Sequence, residues 1–274
     1  MGVPDEVTTT EPNAVPASAA PAATTTPPVD ATVTESTAPD PYARPAWLGT
    51  RALPLRDDGF GEVGPTPPEL APRLLATIDR LPRPAGDGFE STIGPVPPEV
   101  LQRSTWHDGC PVGVDDLVYL TVSHVGFDGA IHTGEMIVNA EFGNGVVSVF
   151  AELFETGFPI EEMRVVSVLD LDAPPTGDGN NTTSFVCRAS VESSNWSEHA
   201  YGLAVDINPF HNPYVRGDLV LPELAGFYTN RDRTEAGMIH PGAVAVRAFA
   251  DLGWEWGGMW SSRKDWMHFS ANGR

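Results

Sequence analysis

Positive charge is scarce in this sequence. Its 274 residues include 16 Lys and Arg against 37 Asp and Glu, which gives a formal net charge of −21, and Lys264 is the only lysine. Proteins that bind nucleic acid through a basic surface gain affinity by neutralising phosphates, and so acidic a chain has little with which to do so. An anionic membrane surface would repel the chain as well. We therefore expect no nucleic acid and no membrane surface as partners.

Long apolar runs are also missing. A bilayer span takes about 18 apolar residues, and the longest candidate run, 146–158, is interrupted by Glu152, Glu155 and Gly157. We expect no transmembrane segment in this chain. Residues 1–5 lack both the basic start and the apolar core of a signal peptide.

Cysteine is nearly absent, with only Cys110 and Cys187 present. In an exported protein a disulfide between them would close a long loop and stabilise the fold by about 2–4 kcal/mol. In a cytosolic protein, two distant cysteines are more often unpaired core residues. The sequence leaves both interpretations open. A cysteine-based metal site has no support, because neither residue has a cysteine neighbour at ligand spacing.

Proline is abundant but unevenly placed, since 18 of the 27 lie before Pro98. Residues 1–45 are mostly Ala, Pro, Thr, Val and Glu, a composition that buries too little surface to offset chain entropy. We predict a disordered tether at 1–45, a partly ordered proline-rich lead-in at 46–97 with a short helix at 68–81, and a compact domain at 98–274. Such a spacer is typical of exported proteins whose signal has been removed.

Fifteen arginines beside one lysine favour a bacterial source with a GC-rich genome. With the proline-rich spacer, this predicts an exported bacterial protein, extracellular or at the cell surface. We expect its signal segment to be absent from this chain.

Hydrophobic periodicity in the compact part predicts an α+β domain. The Asp128-Gly129 pair is a hairpin turn signal between two alternating segments. The predicted strands are 116–127, 131–141 and 164–171, and the predicted helices are 144–156 and 241–252. A turn-rich loop is expected at 172–183.

The two helices carry their own boundary signals. In 144–156 the side chains of Val147, Phe150, Leu153 and Phe154 share one face, and Gly157 follows as a stop. The helix at 241–252 is expected to begin with Pro at its first position and to end at a glycine.

Two short segments hold the chemically active side chains, 197–208 (SEHAYGLAVDIN) and 264–270 (KDWMHFS). In the first, apolar residues alternate with small or polar ones, so a strand here buries one face and turns Asp206 toward small neighbours. His199 lies seven residues earlier, which places it on the opposite face of a continuous strand. A bend at Gly202 would bring its imidazole back.

Two imidazoles and one carboxylate suit tetrahedral Zn²⁺ with the fourth position left for water. His199, Asp206 and His268 supply these groups. Asp265, three residues before His268, would then take the proton of the attacking water, whose pKa zinc lowers toward ~7. The His-x6-Asp spacing alone is common by chance, and each histidine taken singly is equally well explained by a structural role.

The combined pattern is more specific. It consists of Ser197-x-His199-x-x-Gly202-x-Ala204-x-Asp206-Ile207-Asn208, Trp256-Gly257-Gly258-x-Trp260 and Asp265-x-x-His268-Phe269, with upstream His132-Thr133-Gly134-Glu135 and Phe158-Pro159-Ile160-x-x-Met163-Arg164. This pattern resembles the zinc D-alanyl-D-alanine carboxypeptidases and L-alanyl-D-glutamate endopeptidases of the VanY type. These enzymes belong to a wider group with lysostaphin-like endopeptidases and the hedgehog fold. The resemblance covers about residues 110–270.

The resemblance implies that His199, Asp206 and His268 bind zinc and that Asp265 is the general base. It also implies that Arg188 polarises the scissile carbonyl or stabilises its oxyanion, although an arginine in so acidic a chain can equally serve an ion pair. The implied fold is a small antiparallel sheet that carries the zinc site and packs with helices. The chain departs from the D,D-dipeptidase branch, which has Glu where this sequence has Asp265.

Other residues have weaker claims. Ser197 could support a ligand or cap a turn, and Tyr201, Trp256 and Trp260 could line a substrate cleft or pack in the core. Accessory ligands would be needed only if the three-residue set fails, and the candidates for that role are His211 and His240. A structural role is expected for His107, His124, His132 and Glu135.

The sequence therefore predicts a zinc metallopeptidase that cleaves peptidoglycan stem peptides, as a D,D- or L,D-carboxypeptidase acting as a monomer. The alternative is a non-catalytic cell-wall-binding or signalling module with a structural zinc site. A structural site has no need of Asp265, which favours the enzyme. A hydrolase for ordinary L-peptides is a third interpretation that the sequence leaves open.

Overall fold

The computed structural model describes residues 40–191 and 193–274. The described residues belong to one compact unit, and most of the segment predicted as a tether, residues 1–39, lies outside them. The strands are β1 Ser91–Pro95, β2 Leu117–Val125, β3 Ile131–Asn139, β4 Glu162–Met163, β5 Asn181–Thr182, β6 Ala204–Asp206, β7 Tyr214–Arg216, β8 Leu219–Leu221, β9 Glu255–Trp256, β10 Lys264–Asp265 and β11 His268–Ser270. The α-helices are α1 Pro98–Arg103, α2 Gly143–Glu155, α3 Val168–Asp172 and α4 Val244–Asp251.

Helices and several small antiparallel sheets make this an α+β fold, as the sequence predicts. Three sheets have three strands each, in the orders β1-β2-β3, β10-β7-β8 and β6-β11-β9, and β4 pairs with β5 in parallel. None of the helices in the described residues combines the length and the apolar composition needed to cross a bilayer.

The predicted hairpin and first long helix are confirmed. β2 and β3 pair over nine residues each, and Gly129 adopts a positive φ in the turn between them. Helix α2 ends two residues before Gly157, whose φ is +66°. Phe150 and Leu153 of the predicted apolar face are buried. Val146 and Val149 complete the buried face in place of the predicted Val147 and Phe154.

The core lies between the hairpin, α2, α4 and the β6-β11-β9 sheet. Met136 of β3, Phe150 of α2, Val205 of β6 and Phe269 of β11 are all fully buried in it. Phe249 of α4 stacks on Phe269 with ring centroids 4.3 Å apart. This packing fixes β6 and β11, the two strands that carry candidate metal ligands.

Two sequence predictions of secondary structure are wrong. The segment 164–171 is not a strand, because Ser167 caps the start of α3 through a hydrogen bond from Asp170 N, and Asp170 accepts two hydrogen bonds from the Arg164 guanidinium. The helix expected at 68–81 is limited to a 3-10 turn at Pro68–Leu70. Pro72, two residues after the turn, has no N–H for a continuing helix.

Helix α4 also begins later than predicted. Pro241 and Gly242 form a turn, in which Ala243 N donates to His240 O, and the helix starts at Val244. Its end before Gly253 agrees with the prediction.

A buried ion pair joins the proline-rich lead-in to the rest of the unit. Arg73 is 1% exposed and donates to both carboxylate oxygens of Glu161, which is equally buried. The same guanidinium donates to Asp178 O, and Arg73 N donates to the Tyr228 hydroxyl. The segment before Pro98 therefore contributes a charged residue to the interior.

Candidate metal centre

A tight turn brings His199 beside β6. His199 lies in the 3-10 turn Glu198–Tyr201, which begins at Ser197, whose side chain accepts a hydrogen bond from His199 N. Gly202 ends the turn with a φ of +67°, and a Cβ at this position would lie 2.6 Å from Asn139 N. Since an L side chain is strained at that φ and would collide with β3, glycine is needed here. The bend predicted at Gly202 is thus present.

The neighbouring strands bring the other two predicted ligands together. In the antiparallel pair of β6 and β11, His268 lies directly across from Asp206. His268 Nδ1 is 3.0 Å from Asp206 Oδ1, and His199 Nε2 is 3.2 Å from Asp206 Oδ2. One ligand atom of each residue lies within 4.8 Å of the other two, an arrangement that could hold a metal ion.

In His199 and His268, the ring nitrogen that points away from Asp206 faces a main-chain carbonyl oxygen; we call it the outer nitrogen. His199 Nδ1 is 2.6 Å from Ser184 O, and His268 Nε2 is 2.9 Å from Arg274 O. A carbonyl only accepts hydrogen bonds, so these two nitrogens carry the protons. The inner nitrogens, 3.2 Å apart, then present lone pairs in the neutral rings. Two lone pairs and a carboxylate converging on one point fit a cation, and this orientation of metal-ligating histidines is common in proteins.

The electrostatics of the group favour positive charge beside the Asp206 carboxylate. Burial alone would raise the pKa of Asp206, but the charge of His199 and hydrogen bonds to both histidines hold it well below its usual range. Burial would lower the pKa of His268, yet the hydrogen bond and charge of Asp206 raise it to about 9. Without a metal the His268 ring therefore holds a second proton at neutral pH, and a metal ion that binds its inner nitrogen has to displace that proton.

Asp265 lies on β10, across from Tyr214 of β7. Its Oδ1 is buried and has no hydrogen-bond partner among the residues that the structure describes. Burial is the largest cause that raises the pKa of Asp265 to about 7, with Asp206 adding to the rise and His268, Arg188 and Arg263 opposing it. A buried carboxylate oxygen without a donor costs free energy, which suits a group that exchanges a proton with a ligand.

Arg188 follows Cys187 and is half-buried. Its O accepts a hydrogen bond from Ser197 N, and its Nη1 donates to Ala189 O. Its positive charge opposes the rise in the pKa of Asp265. A single cavity of about 380 Å³ is lined by Arg188, His199, Asp206, Asp265 and His268, so all five sequence-predicted site residues meet there. A second cavity of about 950 Å³ shares Asp206 and Met267 with it.

Of the remaining aromatic and histidine candidates, some line this cavity and others lie elsewhere. Trp260 lines the cavity, with its ring centroid 5.6 Å from that of His268, whereas Trp256 is 5% exposed in the core. His211 lies in a different buried network, where its ring stacks on Phe127 and its Nε2 is 3.0 Å from Arg73 O. Neither His211 nor His240 is among the residues lining this cavity.

The histidines of the hairpin and the two cysteines lie elsewhere. His124 and His132 stack on each other, and His132 Nδ1 is 2.7 Å from Asp79 Oδ1. Cys110 and Cys187 form a disulfide, with His107 Nε2 3.6 Å from Cys187 Sγ. These three residues could also hold a metal by position, but sulfur atoms in a disulfide offer no thiolate.

Sequence reasoning missed several cavity residues. Trp196, Tyr214, Arg216 and Arg263 line the same cavity. Arg263 stands two residues before Asp265, just outside β10, and this closeness to Asp265 is a signal that the sequence contains. No short-range pattern links Tyr214 and Arg216 to the site, because strand pairing brings them there.

Residues 191–271 match the protein family described as D-alanyl-D-alanine carboxypeptidase. The match includes His199, Asp206, Asp265 and His268 and covers less than a third of the chain, while Arg188 lies before it. Comparisons with curated proteins and with solved structures gave no match. The family match supports a peptidase.

Proposed function

We propose that this chain is a zinc-dependent peptidase that hydrolyses peptide bonds in peptidoglycan stem peptides, as a D,D- or L,D-carboxypeptidase. One observation carries the proposal: His199, Asp206 and His268 present ligand atoms to a common point, with the unpartnered Asp265 carboxylate in the same cavity. The family match over these residues supports the reaction class.

The donor set favours zinc. Two imidazole nitrogens and one carboxylate oxygen, with both outer nitrogens bonded to carbonyl groups, are the ligands of many catalytic zinc sites. Zn²⁺ bound there supplies a Lewis acid that polarises the scissile carbonyl and lowers the pKa of a water molecule toward ~7.

Asp265 serves as the general base. Its free Oδ1 accepts the proton of the attacking water and then passes it to the nitrogen of the departing amine. The burial that raises the pKa of Asp265 to about 7 brings its proton affinity close to neutral pH, where transfer in both directions is efficient.

Arg188 supplies fixed positive charge on the same cavity wall. As the carbonyl carbon becomes tetrahedral, negative charge develops on its oxygen, and a positioned cation stabilises that charge more than the ground state. We assign this role to Arg188.

We also propose a cellular location for the enzyme. A disulfide between Cys110 and Cys187 is typical of oxidising compartments, and a stem peptide as substrate places the protein outside the cytoplasm, extracellular or at the cell surface of a bacterium. We propose that it acts as a monomer.

A non-catalytic wall-binding or signalling module is not favoured. The matched family is described as carboxypeptidases, and a structural zinc site has no use for a buried carboxylate without a partner.

Digestion of purified muropeptides by the full chain tests the proposal, with products identified by mass spectrometry. Three arms are needed: the zinc-loaded protein, the protein treated with a chelator, and the treated protein with zinc restored. Loss of one terminal D-Ala, abolished by the chelator and regained with zinc, is expected. An internal cut would indicate an endopeptidase, and zinc-loaded protein that yields no product would favour the binding module.

A further inference from the structure

A second, larger cavity adjoins the one that holds the candidate metal group. Its volume is about 950 Å³, against about 380 Å³ for the metal cavity. Three residues line both cavities, namely Asp206, Leu221 and Met267. Because Asp206 is one of the proposed metal ligands, the two cavities meet beside the metal group. A molecule whose reacting bond lies at the metal can therefore extend into the larger cavity.

The proline-rich lead-in forms one wall of the larger cavity. It contributes Leu48, Ile78 and Arg80 among others, and the facing wall comes from segments 161–183 and 221–223. The lead-in precedes residues 191–271, which match the carboxypeptidase family. The family match therefore carries no information about this wall.

Hydrogen bonds hold the lead-in in place on this cavity. Gly49 N donates to Asp178 Oδ2 at 2.8 Å. The Arg44 guanidinium donates to Glu161 Oε1 at 3.0 Å, beside the buried pair that Arg73 forms with the same carboxylate. The cavity is thus formed before a ligand arrives, which spares the cost of ordering its wall on binding.

The surface that this cavity offers to a ligand is mainly apolar. Its guanidinium groups already pair with carboxylates: Arg44 and Arg73 with Glu161, Arg80 with Glu162, and Arg164 with Glu162 and Asp170. Leu48 and Leu221 are half-buried, and Ile78 is 54% exposed although it lines a cavity. A ligand that covers Ile78 removes apolar surface from water, which favours binding.

The position of Asp265 indicates which part of a substrate each cavity takes. Asp265 lines the smaller cavity and does not line the larger one. A general base that passes its proton to the departing amine has to lie on the side of the leaving residue. The part of the substrate before the scissile bond then extends to the other side, past Asp206 and into the larger cavity.

We infer that the larger cavity binds the acyl part of the stem peptide, the residues before the scissile bond, and that Leu48 and Ile78 of the lead-in create a preference for longer peptides. This inference rests on the proposed function. A volume of about 950 Å³ is near the upper end of the ~300–1,000 Å³ typical of sites for drug-sized ligands. It gives room for a few peptide residues.

The first test compares two peptides that share the D-Ala-D-Ala bond and differ in the length before it. They are Nα-acetyl-L-Ala-γ-D-Glu-Nε-acetyl-L-Lys-D-Ala-D-Ala and Nα,Nε-diacetyl-L-Lys-D-Ala-D-Ala. With the zinc-loaded full chain we expect kcat/KM to be about 10-fold higher for the longer peptide, which corresponds to burying most of one further apolar side chain. Part of the gain should appear in kcat, because remote contacts orient the reacting bond.

Variants of the lead-in should remove this preference. Ile78→Ser and Leu48→Ser should each bring the ratio of the two kcat/KM values closer to 1 and leave kcat/KM for the shorter peptide unchanged. Leu55→Ser is the matched control, because Leu55 is 64% exposed on the same lead-in and does not line this cavity. It should leave the ratio intact.

A thiol label separates a blocked cavity from a failure to fold. The two cysteines of the chain are joined in the disulfide, so Ile78→Cys and Leu55→Cys each introduce one free thiol. Each variant is checked by circular dichroism and then labelled with a bulky maleimide. The label should abolish the length preference in Ile78→Cys and leave it intact in Leu55→Cys.

The second test needs no turnover. Isothermal titration of the chelator-treated full chain should show tighter binding of the longer peptide, and the label on Ile78→Cys should abolish the difference. Equal binding and equal cleavage of the two peptides would overturn the inference while leaving a peptidase in place, as would a length preference that survives the label. Binding of neither peptide would overturn it as well. Length-dependent binding that the label abolishes, without cleavage by the zinc-loaded protein, would support the cavity and reject the proposed function.

Discussion

His199 Nε2 and His268 Nδ1 lie 3.2 Å apart, and each ring turns its other nitrogen toward a main-chain carbonyl oxygen. The inner nitrogens of the neutral rings therefore cannot bond to each other, since neither has a hydrogen to donate. Beside the Asp206 carboxylate, the repulsion is relieved either by a proton, which the raised pKa of His268 favours, or by a metal ion that displaces it. Metal content is consequently the most direct property to measure.

We predict one zinc ion per chain, lost in His199→Ala, Asp206→Ala and His268→Ala. Removing one of three protein ligands should lower zinc affinity by more than the 10- to 100-fold typical of groups that only support a ligand. The measurement is elemental analysis after dialysis against a weak chelator. His107→Ala is the control, because His107 lies beside the disulfide. Zinc lost in His107→Ala and kept in His199→Ala would place the metal at the other group.

Asp265→Ala should keep its zinc and lose about 10²- to 10⁴-fold in kcat, the usual contribution of general acid–base catalysis. Asp265→Asn preserves the shape of the side chain and should be equally impaired, because an amide cannot take the proton. Stem-peptide hydrolysis and zinc content are measured on the same preparation. Retained hydrolysis in either variant would remove Asp265 from the mechanism.

Arg188→Gln should lower kcat by about 10²- to 10³-fold, as does the loss of an oxyanion donor, with a smaller change in KM. Arg188→Lys should recover only part of the rate, because an ammonium lacks the planar donor geometry. Steady-state kinetics on one defined peptide give both constants. A pure KM effect would instead assign Arg188 to ground-state binding.

The disulfide should contribute about 2–4 kcal/mol to the free energy of unfolding, since Cys110 and Cys187 are 77 positions apart. The double variant Cys110→Ser, Cys187→Ser should lower the denaturant midpoint by the corresponding amount. A reducing agent should destabilise the wild-type chain in the same way and leave the double variant unchanged. Equal stability in all four samples would contradict the prediction.

The buried pair of Arg73 and Glu161 predicts loss of stability in acid. Burial would raise the pKa of Glu161, but the charge and hydrogen bonds of Arg73 lower it below its ordinary value of 4.5. A carboxylate with a depressed pKa in the folded state stabilises the protein above its unfolded pKa, and that contribution is lost as pH falls through the folded value. Denaturant unfolding at several pH values below about 4.5 should show this slope, and Glu161→Gln should flatten it.

A matched variant separates charge from packing in that pair. Arg73→Met leaves the buried Glu161 with only the half-buried Arg44 as its cation and should cost up to about 3–5 kcal/mol, whereas adding Glu161→Gln should recover part of the loss. An unchanged midpoint in Arg73→Met would show that the pair contributes little.

Local sequence signals were sufficient for part of this fold. The Asp128-Gly129 turn and the alternation on either side predict the β2–β3 hairpin, and the 3.6-residue period with Gly157 predicts α2. The wrong strand prediction falls where polar contacts override hydrophobicity, whereas the helix predicted at 68–81 is cut short by Pro72. The apolar residues of 164–171 favour a strand, but the Ser167 cap and the Arg164–Asp170 pair select a short helix.

Some residues of the candidate site could likewise be predicted from the sequence, and others could not. His199, Asp206, Asp265 and His268 can be selected because their residue types and spacing suit metal chemistry. Arg216 joins the cavity through strand pairing alone, a long-range relationship that no local pattern contains. Arg73 was missed as an interior residue for a similar reason, because its partner Glu161 lies 88 positions away.

The ion pair of Arg73 and Glu161 limits where the chain can be truncated. A recombinant fragment beginning at Pro98 would contain every residue proposed for metal binding, for proton transfer and for stabilising the carbonyl oxygen. It would nevertheless leave Glu161 in the interior without Arg73, its buried guanidinium partner. Expression of a stable fragment is therefore expected to require a start before Arg73, so that the boundary of the folding unit is set by a buried ion pair and not by the candidate metal centre.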